Sequence, residues 1–70
     1  MQPLTPFGDW LARHRVTEIA AGAALGIGRA HVSRLARGLA VPSMLIAARV
    51  EAYTDGEVPM QSWVPWLRGS

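Results

Sequence analysis

Apolar side chains recur along this chain at helical spacings. Phe7, Trp10, Leu11 and His14 occupy the i, i+3, i+4, i+7 positions of one face, and Thr5-Pro6 ahead of them supplies an N-cap and a proline at the first helical position. A first helix is predicted there. Val16-Thr17 opens a second helix, capped by Thr17 and ended at Gly26, because a glycine after Leu25 accepts the left-handed conformation that closes a helix. A third covers residues 28–37, which hold no breaker, and stops at Gly38. A fourth runs from Ser43 through Met44, Ile46, Val50 and Tyr53 to the turn Thr54-Asp55-Gly56. Leu45, Ala48 and Ala52 lie on one arc of it and Ile46, Val50 and Tyr53 on another, which predicts a helix packed on most sides. Residues 57–66 contain Pro59 and Pro65 and are expected to form a short extended piece and a single helical turn. With no strand pattern and no internal repeat, the expectation is an all-α fold of four to five helices, with residues 1–70 as a single domain.

Seventy residues can build one core but not two, so a large enzyme scaffold is excluded. The chain has no cysteine, and His14 and His31 alone cannot supply a structural zinc site. No cofactor and no metal are expected. Half the residues are apolar and 17% are charged, a composition that folds by burial. The longest nearly apolar run, residues 19–28, is half the length a bilayer requires and contains Gly22, Gly26 and Gly28, so no membrane span is expected. MQPLTPFGDW lacks the basic start and apolar centre of a secretory signal, which predicts a cytoplasmic protein.

All seven basic residues are arginine, and the net charge is only +2. Its distribution is uneven. No acid lies between Glu18 and Glu51, whereas Arg29, Arg34, Arg37 and Arg49 all fall within that stretch. An anion-binding surface should therefore be central. On a helical wheel starting at Arg29, Ser33, Arg37, Ala30 and Arg34 fall within about 140°. His31, Val32, Leu35 and Ala36 take the remaining arc. One face buries Val32 and Leu35; the other presents three guanidinium groups separated by the small residues Ala30 and Ser33, which let the backbone come close to a surface. Guanidinium bonds bidentately to guanine O6 and N7 or neutralises phosphate. Exposed arginines on a short helix are often only a solvated face; the preceding helix, joined through Leu25-Gly26-Ile27, argues for a helix-turn-helix instead.

From Val16 to Gly38 the sequence resembles the helix-turn-helix of the Cro and phage-repressor (XRE) family. The matching features are Gly26 between Leu25 and Ile27, the run Val32-Ser33-Arg34, and Arg37-Gly38 followed by Pro42. Residues 49–59 and Trp63 are also similar to a common ending of small members. The resemblance implies a lambda-repressor-like fold with the helix-turn-helix over about residues 17–37. It further implies that residues 28–37 enter the major groove of double-stranded DNA: Arg29, Ala30, Ser33 and Arg34 are base-reading candidates, and Thr17, Gly28 and Arg37 are phosphate candidates. The chain departs from the family pattern at Ala21, where a larger apolar residue is usual, at Gly22, where alanine is usual, and at Glu18, where glutamine often lies near the DNA backbone. Gly22 in a helix predicts a loss of up to about 1 kcal/mol.

Residues 22–28 also match the glycine spacing of a dinucleotide-binding turn, but that turn needs a preceding strand and βαβ units of about 30 residues each. His31 sits at the edge of the buried arc and is expected to pack partly. No nucleophile or acid-base pair stands out, so no enzymatic activity is expected. In the tail, residues 57–70, Trp63 is expected to seal the core. Trp66 is harder to hide, and Val58, Trp63, Val64, Trp66 and Leu67 are the dimer-interface candidates. The functional expectation is a transcriptional regulator, most simply a repressor, acting as a homodimer on a palindromic operator. Phage switches, antitoxins and anti-CRISPR-associated autorepressors are family members of this size. The competing expectations are a module that binds a protein partner through the tryptophan-containing tail, and a sequence-indifferent DNA binder.

Overall fold

The computed structural model describes residues 4–67. Four α-helices, α1 (Pro6–His14), α2 (Glu18–Leu25), α3 (Arg29–Ala36) and α4 (Met44–Tyr53), are followed by a 3-10 helix over Met60–Trp66. No strand occurs among the described residues. The molecule is all-helical and measures 31 × 28 × 20 Å.

Short polar side chains begin three of the α-helices. Thr5, Thr17 and Ser43 accept from the N–H groups of Gly8, Ala20 and Ile46, satisfying donors that a helix start leaves without an intrahelical partner. Pro6 stands at the first position of α1, and Gly26 ends α2 with φ 75°. Residue 28 serves as the N-cap of α3 and residue 37 as its C-cap, so the helix proper is one residue shorter at each end than its sequence pattern suggests.

One cluster forms the core: Phe7, Trp10 and Leu11 from α1, Ala21 and Leu25 from α2, Val32, Leu35 and Ala36 from α3, Ile46, Ala47 and Val50 from α4, with Val58 and Trp63 from the tail. Trp10 lies between His14 and Tyr53, with ring centroids 4.4 and 5.4 Å away. Trp63 stands 6.2 Å from Phe7.

Three expectations change. The tail is a seven-residue 3-10 helix with Pro65 inside it, not a single turn. Its start is anchored from α4, where the Glu51 carboxylate accepts from the Met60 N–H at 3.1 Å. Second, α4 is buried on one arc only: Ile46, Ala47 and Val50 face inward, while Met44, Leu45, Ala48 and Ala52 are exposed. Third, Val58 and Trp63 belong to the core, at 1% and 3% exposure, so Trp63 seals it as expected and neither residue is available for the dimer surface for which both were candidates. The Val58 N–H is held by Thr54 Oγ1, which itself donates to the Val50 carbonyl. That turn folds the chain back and carries both side chains inward.

Candidate nucleic-acid interface

The turn between α2 and α3 is set by glycine. The Gly22 carbonyl accepts from the N–H groups of Gly26 and Ile27 at 2.8 and 3.0 Å, and a Cβ on Gly22 would stand 2.6 Å from the Ile27 carbonyl oxygen. Alanine does not fit there. Gly22 is thus what lets the turn close tightly, and the intrinsic penalty of a helical glycine is offset by that approach.

From this turn α3 is held at both ends. Val32 and Leu35 are fully buried against the neighbouring helices. At the far end Thr5 donates its hydroxyl to the carbonyls of Leu35 (2.9 Å) and Ala36 (3.2 Å), while its N–H donates to the Ala36 carbonyl at 2.9 Å. The start of α1 therefore satisfies the end of α3. Gly8 makes this possible, since a Cβ there would collide with the Ala36 backbone.

The outer face of α3 carries the arginines. Arg29, Ala30, Arg34 and Arg37 are exposed, and Ser33 and His31 are half-buried. The three arginines span about 12 Å of helix axis and form no ion pair with any described acid. Acids cluster elsewhere: Asp9 pairs with Arg13 at 3.0 Å, and Glu57 lies 3.8 Å from Arg13 and 3.9 Å from His14. Unlike the other α-helices, α3 has no side-chain cap, and a Cβ on Gly28 would meet nothing within 4 Å. Thr17 is exposed, and because its oxygen accepts from Ala20, its own proton remains available to a second acceptor.

Arg49 is different. Its guanidinium donates to the Leu25 carbonyl at 3.1 Å, closing the end of α2, which removes it from the arginine set that the sequence places in the acid-free stretch. A one-dimensional charge count sees four arginines there and cannot see that one is engaged by a helix terminus. The tail presents less apolar surface than expected: Trp66 is half-buried, lining a shallow open pocket of about 210 Å³ with Gly38, Leu39, Ala40 and Val41, while Val64 and Leu67 are exposed. Gly38, at φ 76°, is the position on which the Trp66 indole rests. Among the described residues no three metal-ligating side chains cluster, and no helix is long and apolar enough to cross a membrane. No family model, curated protein or solved structure matches this chain significantly.

Proposed function

We propose that this chain is a sequence-specific DNA-binding transcriptional regulator of the helix-turn-helix type, lambda-repressor-like in fold and similar to the Cro and phage-repressor family. It acts in the cytoplasm as a homodimer on an inverted-repeat operator and represses by occupying a promoter. One observation carries the reading: Arg29, Arg34 and Arg37 share the outer face of a helix anchored at both ends, and no described acid pairs with them.

Anchoring matters because base readout requires the reading side chains to start from a fixed backbone. In this reading Arg29 and Arg34 bond to base edges, while Ala30 and Ser33 leave room for the helix to enter the major groove. Arg37, the uncapped N–H groups behind Gly28 and the Thr17 hydroxyl hold phosphates. Glu18, in the first turn of α2, interacts favourably with the helix dipole. A dimer sets the two α3 helices about 34 Å apart, in successive major grooves on one side of the duplex.

The test is selection from a random duplex pool at about 0.15 M salt, with the protein and with its Arg29→Ala/Arg34→Ala form. Enrichment of an inverted repeat that disappears in the double variant is the expected result. Retention of DNA without sequence enrichment, falling steeply with salt, would replace the proposal with a nonspecific binder. No retention at all would favour a module that binds a protein partner.

A further inference from the structure

The residue types absent from α3 narrow what it can read. Arg29–Ala36 holds no asparagine, glutamine, aspartate or glutamate. The whole chain lacks asparagine, and its glutamines, Gln2 and Gln61, stand far from α3 in the sequence. In the major groove adenine is read by a bidentate amide, and cytosine by a carboxylate that accepts from its N4. The outer face of α3 offers neither group. Ala30 supplies only a methyl contact, and the Ser33 hydroxyl both donates and accepts, so it pairs with any base. His31 is half-buried at the edge of that face. The discriminating donors that remain are the guanidinium groups of Arg29 and Arg34, both exposed and paired with no described acid.

We propose that the DNA site is specified by guanine: Arg29 bonds N7 and O6 of one guanine and Arg34 those of a second, with a degenerate base pair between them opposite Ser33. The inference rests on the DNA-binding reading above and names its ligand. A guanidinium carries five donors and no acceptor. Guanine presents two acceptors on its major-groove edge, whereas adenine sets an N6 donor beside its N7 and cytosine presents a donor at N4, so an arginine facing either meets donor with donor. No acid on α3 is placed to accept from the paired cytosines, and discrimination therefore falls on the purine. The two arginines are five residues apart, about 7.5 Å along the helix axis, against about 3.4 Å per base-pair step. They therefore reach different base pairs, about two steps apart when α3 follows the groove. Arg37, the C-cap of α3, stays with phosphate. Were Arg29 and Arg34 also on phosphate, the face would keep no donor able to tell one base from another.

The probe is the duplex enriched from a random pool at about 0.15 M salt, remade with 7-deazaguanine at chosen guanines. That base keeps O6 and its pairing but has carbon in place of N7. The enriched half-site should contain two guanines at fixed spacing, and replacing either should weaken binding by about tenfold or more, while replacing a guanine outside the half-sites should not. Arg34→Gln should lose the guanine preference at one base pair of each half-site and keep it at the other. Its circular dichroism melt should be unchanged, because Arg34 is exposed and engages no described acid. An enriched repeat without guanines, guanines that tolerate 7-deaza replacement, or an Arg34→Gln form that keeps both preferences would each overturn the guanine assignment and leave the operator reading standing. A pool that enriches no sequence would overturn the operator reading, and the guanine assignment with it.

Discussion

A single hydroxyl at Thr5 serves three backbone groups: it accepts from the Gly8 N–H and donates to the carbonyls of Leu35 and Ala36, all in a buried setting. Thr5→Val keeps the shape but takes its acceptor from the buried Gly8 N–H, so it should lower stability by about 1–3 kcal/mol in urea unfolding, whereas Thr5→Ser should recover most of the loss. Thr17→Ala removes a cap in solvent and should lose about 1 kcal/mol. Gly22 makes a sharper case. Helix propensity alone predicts that Gly22→Ala stabilises by up to about 1 kcal/mol. The Ile27 carbonyl in the way predicts destabilisation by about 1–3 kcal/mol, and the sign of the measured change decides between them. Arg34→Ala touches no internal contact; it should leave the melt unchanged, reduce operator affinity by about 1–3 kcal/mol and relax specificity at one base pair.

At the scale of elements, the helix boundaries were legible because the signals are local. Thr5-Pro6, Thr17, Gly26 and Ser43 each act within one turn of their own position, and each is found at the terminus its chemistry suggests. The outer and inner faces of α3 were legible too, since arginine and valine leave little ambiguity about which faces water. The orientation of α4 was not, because leucine, isoleucine, methionine and alanine surround it and only its neighbours decide which arc is covered. The length of the 3-10 helix was underestimated for a related reason: its stability comes from Glu51 and from the burial of Trp63, both outside any local pattern. Arg49 and Arg37 illustrate the same divide and can be separated by experiment. Arg49→Leu loses the bond closing α2 and should lower stability by about 1 kcal/mol without altering the salt dependence of DNA binding. Arg37→Ala should do the reverse, reducing the slope of log affinity against log salt by about 1.

For the whole molecule, the decisive contact joins the two ends of the described chain. Trp63 packs on Phe7, and its indole N–H is buried without a partner, so its contribution is entirely apolar burial. Trp63→Ala should cost about 3–5 kcal/mol, comparable with everything a domain of this size has to lose. The variant is expected to be unfolded at 25 °C by circular dichroism. The same contact has a consequence for synthesis. Translation adds residues one at a time from the N-terminus, and local helices can form as they emerge, but Phe7 waits for a partner 56 positions later. No shorter nascent segment contains a complete core, so the arginine face of α3 acquires its rigid support only after Trp63 has left the ribosome. The domain thus folds as one late event, and an incomplete translation product lacks a properly supported α3.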